Sequence, residues 1–266
     1  MILLDPSKYS TARELFKPLE HHLLIRALFE NNLETHLFVD DDAQPHCGLI
    51  AYNSRFIFGG DPTRDTFNAD LRRYFIEMVI PARNGEAFLA IFTSDNWIPA
   101  LKEIFSGYEV ILAPRLYFEI MPESNFDITL PDGYLLHVVT PELLASNIGG
   151  LDILREEMCS ERKSVEDFLA NSFGLCPVYE NKIAGWCLSE YNTGDCCEIG
   201  IATLEPYQRR GIATVLTRAF LAEAFKRGYR HIGWDCWEKN AASAASARKA
   251  GLALVKREQA LIVILS

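Results

Sequence analysis

Residues 208–213 read Gln-Arg-Arg-Gly-Ile-Ala, two cations and a glycine set between the apolar stretch CEIGIATL (197–204) and the helically spaced run TVLTRAFLAEAFKRG (214–228). The chemistry open to such a junction is anion binding. The first N–H groups of a helix have no intrahelical partner and sit at the positive end of its dipole, while a glycine lets a ligand approach the backbone closely. Arg209 and Arg210 would suit that seat to a pyrophosphate. Two familiar phosphate loops are excluded: no Gly-Lys-Ser/Thr is present, and Gly211 stands alone where the dinucleotide fingerprint needs three glycines. A plain strand-to-helix turn could carry the same hexapeptide, so its surroundings decide.

From Pro131 onward the surroundings segment readily. GYLLHVVT reads as a strand running into Thr140-Pro141-Glu142, a helix start with a capping hydroxyl, proline at the first helical position and an early acid. A second helix is expected from Ser164, whose spacing to Asp167 fits a capping box. LCPVYE, IAGWCLSE and CEIGIATL, separated by turns at Asn181-Lys182 and Asn192–Asp195, form an antiparallel meander leading into the loop. After it, Val215, Leu216, Ala219, Phe220, Ala222 and Phe225 recur at helical spacing up to Gly228. The strand HIGWDCW, an alanine-rich helix from Asn240 to about Ala250 and a last strand-pair region, LALVKREQALIVIL, complete an α/β order of strand, two helices, meander, helix, strand, helix, strand.

Composition narrows the partners. A chain of 266 residues with 49% apolar composition can bury one large core or two ordinary ones, and two domains are expected. No apolar run reaches the roughly 18 residues of a membrane span, and the start MILLDPSKYSTARE does not resemble a signal peptide, so a soluble cytoplasmic protein is expected. Seven cysteines, with an adjacent Cys196-Cys197 pair but no C-x-x-C, argue for a reducing compartment and against a zinc knuckle. His21 and His22 read as surface residues, and no metal site is expected. A net charge of −10 makes nucleic acid an unsuitable partner and favours neutral or cationic substrates. Residues 1–126 carry 11 basic against 18 acidic side chains and residues 127–266 carry 15 against 18, so the half with the arginine loop is the less hostile to an anion.

The first half aligns with the second at a shift of 144 residues without a gap. Pro62 meets Pro206, Arg83 meets Arg227, Asn96 meets Asn240 and Gly107 meets Gly251. Two copies of one α/β unit are therefore expected, divided as 1–126 and 127–266. At the loop the copies differ, because Arg209, Arg210 and Gly211 are matched by Asp65, Thr66 and Phe67. A phosphate cannot settle onto backbone amides beneath a phenylalanine and beside a carboxylate, so only the second copy should hold an anion.

QRRGIA matches the Q/R-x-x-G-x-G/A motif, and the chain thereby resembles the GNAT superfamily of acetyl-CoA-dependent N-acyltransferases. The block NAASAASARKAGL resembles that superfamily's N-x-x-A-x-x-L-Y-x-K-x-G-F helix at Asn240, Lys249 and Gly251. The likeness covers residues 127–266, with 1–126 a degenerate copy, and the two-part layout is similar to the subgroup that includes proteins related to the zwittermicin A resistance acetyltransferase. The resemblance implies a mixed, mostly antiparallel sheet flanked by helices. It also implies that acetyl-CoA is the co-substrate and that a primary amine of a small molecule or peptide is the acceptor, with direct transfer between them.

The resemblance further implies that backbone amides of Gln208, Arg209, Arg210, Gly211, Ile212 and Ala213 hold the coenzyme A pyrophosphate, with Thr214 opening the helix. Ile201, Ala202 and Thr203 would pair with the pantetheine amides, and Asn240 would hydrogen-bond the pantetheine arm. Glu198, a carboxylate in an otherwise apolar strand just before that edge, is the expected general base, since burial would raise its pKa toward the working range. Asp235 and Cys236 lie on the next strand, Cys236 as a small core residue, and Trp234 and Trp237 read as packing or pocket walls. One departure stands out: the tyrosine that commonly protonates the thiolate in the superfamily falls at Ala247. Ser243, Ser246, Tyr191, Tyr207 or a water are the alternatives. A catalytically weak or inactive acyl-CoA-binding regulatory protein is the competing reading, and the first half is expected to cover the acceptor cleft or supply a homodimer face.

Overall fold

In the computed structural model, which describes residues 1–30, 33, 35–120 and 126–265, the chain forms two compact units. The first comprises Met1–Arg115 together with Glu258–Ser266, and the second Leu116–Arg257.

The first unit begins with β1 (Ile2–Leu3), α1 (Arg13–Phe16) and α2 (Leu23–Phe29). A meander of β2 (His36–Val39), β3 (Cys47–Tyr52) and β4 (Arg55–Gly60) follows, then α3 (Asp65–Tyr74), a π-turn at Phe75–Val79, α4 (Ile80–Ala82), β5 (Phe88–Phe92) and α5 (Trp97–Ile104). The strands β2, β3 and β4 are antiparallel neighbours, and β4 pairs β5 in parallel through Arg55↔Leu89 to Phe58↔Phe92. Its core is strongly aromatic: Phe75 lies 4.8 Å from Phe56, 5.3 Å from Phe88 and 4.8 Å from Phe105, centroid to centroid. His22 is 6% exposed, which corrects its reading as a surface residue.

The strand β6 (Glu109–Ile120) leads into the second unit, which continues with β7 (Tyr134–Val138), α6 (Pro141–Leu144), α7 (Leu151–Met158), α8 (Val165–Asn171), β8 (Gly174–Tyr179), β9 (Lys182–Ile183), β10 (Gly185–Thr193), β11 (Cys196–Thr203), α9 (Ile212–Lys226), β12 (His231–Trp237) and α10 (Ala241–Ala250), and β13 (Ala253–Ile264) passes from it back into the first unit at Glu258. Strand order here is β6-β12-β11-β10-β8-β7. The expected caps form, since Thr140 accepts from the Leu143 N–H at 3.3 Å and Ser164 from the Asp167 N–H at 3.2 Å. Two expectations change. The end of the chain is one strand of 12 residues rather than a pair, with Leu261–Val263 antiparallel to β5. Three helices precede the meander rather than two, because α7 starts at Gly150 without a side-chain cap and buries Leu151, Leu154 and Met158.

The repeat is visible in the elements. β6 and β13 occupy residues 109–120 and 253–264, and α5 and α10 begin at 97 and 241, each pair 144 apart. In both units a meander strand pairs in parallel with the strand that follows the long helix. At the junction itself the first unit differs: Asp65 heads α3, and Phe67 is 2% exposed within the aromatic core. Replacing Phe67 by alanine is expected to cost about 3–5 kcal/mol, measured as a lowered denaturation midpoint, without creating coenzyme A binding by calorimetry.

Candidate active site

Strand β11 is paired on both sides for only part of its length. It meets β10 along Gly185↔Thr203 to Thr193↔Cys196, but its parallel ladder with β12 consists of Cys196↔His231, Cys197↔Ile232 and Glu198↔Gly233. Beyond Glu198 the two strands diverge. Ile199–Thr203 therefore present backbone N–H and C=O groups toward the fork without a β12 partner among the described residues, and an extended ligand carrying amides can complete that ladder. Gly185 fixes this edge from behind, since a Cβ there would lie 2.3 Å from the Ala202 carbonyl oxygen. The hydroxyl of Thr203 at the end of the edge is buried with no hydrogen-bond partner among the described residues.

The first unit lacks the fork. Its β4–β5 ladder runs through Arg55–Phe58, the positions matching 199–202, so the equivalent edge is already paired.

Alternation along the strands sorts the side chains between two faces. Cys197 and Ile199 of β11 and Ile232, Trp234 and Cys236 of β12 share one buried core with Leu216, Ala219 and Phe220 of α9 and Ala244 and Ala247 of α10. Glu198 and Gly200 point to the other face, opposite Glu190 and Leu188 of β10, and Asp235 shares that face by its register on β12. Glu198 is half-buried at the vertex of the fork. Cys236 and Trp234 are core residues, and the Trp234 Nε1–H donates to Ser243 Oγ at 3.1 Å.

The free edge runs into the loop. After a 3-10 turn at Glu205–Tyr207, the Gln208 side-chain amide donates to the Thr203 carbonyl at 2.9 Å and ties the loop to the strand end. Arg209 and Gly211 take left-handed backbone angles, φ 62 and φ 80, and a Cβ built on Gly211 would meet no atom within 4 Å. The 15-residue α9 begins there with no side-chain cap and no acid in its first turn. The N–H groups of Ile212, Ala213 and Thr214 thus form the start of an uncapped dipole, with open space above the glycine. Ile212 is itself 1% exposed and packs with Tyr134 and Ala184, anchoring the helix start, while the Ala213 carbonyl accepts from Thr217 Oγ1 at 2.7 Å. The exposed Arg210 guanidinium donates to the Tyr134 hydroxyl at 3.2 Å. Tyr134 and Tyr207, with centroids 6.3 Å apart, brace the loop. Sequence reading missed Tyr134 in this role because it lies 76 residues from Arg210.

Asn240 caps α10, its side-chain oxygen accepting from the Ser243 N–H at 3.1 Å, which leaves its amide hydrogens available to a ligand. Ala247 is 0% exposed within the core and cannot deliver a proton. Among the alternatives, Ser246 Oγ donates to the Ala242 carbonyl at 3.0 Å, Ser243 Oγ is engaged by Trp234, and Tyr191 is buried. Burial pushes the thiols of Cys187 and Cys197 well above the ordinary cysteine range, so neither is a nucleophile at neutral pH.

Two substitutions separate binding from stability. Gly211→Ala places a side chain in a left-handed position at a cost of about 1–2 kcal/mol and fills the space above the helix start, so coenzyme A affinity by calorimetry should fall by more than the loss of stability accounts for. Thr203→Val removes a buried hydroxyl that has no hydrogen-bond partner among the described residues. Its melting temperature should be unchanged or higher, while the Michaelis constant for the acyl donor rises.

Comparison with known proteins places this arrangement. A curated relative, the uncharacterized N-acetyltransferase YdfB of Bacillus subtilis (strain 168), is 25% identical over 254 residues, covering 95% of this chain and 94% of its own. The crystal structure of a GCN5-related N-acetyltransferase-like protein from Streptococcus suis 89/1591 superposes with a TM-score of 0.69 at 18% identity, over 96% of this chain and 99% of that one. A tandem GNAT protein from the clavulanic acid biosynthesis pathway superposes with a TM-score of 0.60 at 9% identity, over 100% of this chain and 98% of that one, so the fold of both halves has a solved counterpart. The sequence model of the GNAT acetyltransferase family matches residues 13–261, and with the forked strands and the uncapped helix start this shows that the chain belongs to that family and is an acyltransferase.

Proposed function

We propose that the chain is an N-acetyltransferase that moves an acetyl group from acetyl-CoA to a primary amine of a small molecule or peptide. The observation that carries this reading is the free β11 edge running directly into an uncapped helix start. Ile201, Ala202 and Thr203 pair with the pantetheine amides, and Asn240 hydrogen-bonds the same arm. The backbone from Gln208 to Ala213 and the first turn at Thr214, with the charges of Arg209 and Arg210, hold the pyrophosphate. The two-part layout supports placing the chain with the subgroup related to the zwittermicin A resistance acetyltransferase. The cysteines, all free thiols, support a cytoplasmic location.

Glu198 sits where the strands part and accepts a proton from the amine, directly or through water. The amine nitrogen then attacks the thioester carbonyl, the C–N bond forms as the C–S bond breaks, and the departing thiolate takes up a proton. Holding both reactants in one fork supplies most of the acceleration, with effective molarities on the order of 10^5 M or more. The raised pKa of the buried Cys187 and Cys197 thiols favours direct transfer over an acyl intermediate on either of them.

A second reading, an acyl-CoA-binding protein without turnover, is favoured by one observation, the buried Ala247 at the position of the usual acid. Incubation with acetyl-CoA and a broad panel of primary amines, following free thiol, separates the two: turnover is expected, and calorimetric binding without turnover across the panel would favour the second reading. Glu198→Gln should lower kcat by roughly 10^2 to 10^4 with acetyl-CoA affinity retained.

A further inference from the structure

We propose that His21, His22 and Glu258, all in the first unit, form a site for one divalent cation of the zinc type that ties the start of α2 to β13. The proposal is independent of acyl transfer. Adjacent histidines inside a helix point about 100° apart, but these two precede α2, and His22 is its N-cap with extended angles, φ −76 and ψ 113. The imidazoles are thereby brought together, with ring centroids 4.4 Å apart.

Both rings converge on one carboxylate. The Nε2 atom of His22 lies 2.6 Å from Glu258 Oε1, and that of His21 lies 3.2 Å from Oε2. One ligand atom from each of the three residues can be chosen so that all lie within 4.8 Å of one another. Tetrahedral zinc, with bonds of about 2.0–2.2 Å, spaces its ligand atoms about 3.3–3.4 Å apart, so side-chain adjustments of about 1 Å suffice. Two neutral imidazoles and one carboxylate are a donor set matched to zinc rather than to magnesium or calcium, which prefer all-oxygen shells.

Burial supports a built site. The side chains of His22 and Glu258 are 7% and 14% exposed, and that of His21 is 22% exposed, which gives a water ligand access to a fourth position. The Glu258 carboxylate also supplies a negative charge beside both rings, which favours a cation at their meeting point.

The test uses the full chain, freed of metal with a chelator and titrated with ZnCl2 or CoCl2. The expected result is one tightly held equivalent by elemental analysis, the visible absorption of tetrahedral Co2+, and a zinc-dependent rise in melting temperature. Glu258→Gln and His22→Ala should weaken binding on the order of 100-fold, while His46→Ala, at an exposed histidine, should bind like the parent. Because Glu258 and His22 are largely buried, His21→Ala, the most exposed ligand, is measured alongside, with circular dichroism in chelator confirming that each variant is folded. Absence of the tetrahedral Co2+ absorption in the parent protein, or equal metal binding by parent and folded His21→Ala, would overturn the site and leave a carboxylate clasping two imidazoles.

Discussion

The parting of β11 from β12 at Glu198 and Gly233 is the constraint around which the second unit is built. Backbone polar groups need hydrogen-bond partners, and a strand that lies inside a sheet yet lacks a second neighbour, on the β12 side, for its last five residues leaves that edge open to a partner from outside. The rest of the unit holds that edge in place. The missing Cβ of Gly185 allows β10 to approach closely from behind, Gln208 ties the loop to Thr203, and Tyr134 with Ile212 seats the start of α9. The open strand edge and the uncapped helix start thereby form one continuous stretch of backbone.

The two units differ at the equivalent strand edge while keeping the same element order. Three local differences coincide in the first: the parallel ladder continues where the second opens, a carboxylate heads the helix, and Phe67 stands in the first turn of that helix with its side chain in the core. Each is compatible with the same element order, and together they convert an open edge into packed interior. The aromatic cluster around Phe75 is the energetic counterpart, since rings at edge-to-face and stacked distances stabilise a core that needs no ligand.

The faces of the second sheet divide the chemistry. Cysteines and tryptophan point toward α9 and α10, where burial silences the thiols, and carboxylates point to the opposite face. A single strand therefore offers backbone along its edge, apolar packing on one side and an ionisable group on the other. The first unit has its own polar convergence at His21, His22 and Glu258, which joins residues far apart in the chain.

Much of this was legible in the sequence because it rests on local rules. The caps at Thr140 and Ser164, the meander, the loop and the internal repeat follow from hydroxyls, turn residues and periodicity, which act over a few residues. The start of α7 was not legible, since Gly149-Gly150 reads as a loop and no side chain marks the helix. The single strand at the chain end read as two, because its charged stretch Lys256–Glu258 interrupts the apolar pattern. The role of Tyr134, the orphaned hydroxyl of Thr203 and the burial of His22 belong to contacts across tens or hundreds of residues, which no window of sequence contains. Residue type and spacing by themselves set the two junctions apart, with Arg209, Arg210 and Gly211 at one and Asp65, Thr66 and Phe67 at the other. Only the tertiary structure decided that the pairing of β11 with β12 ends at Glu198, because whether two strands remain paired depends on the packing of the elements around them.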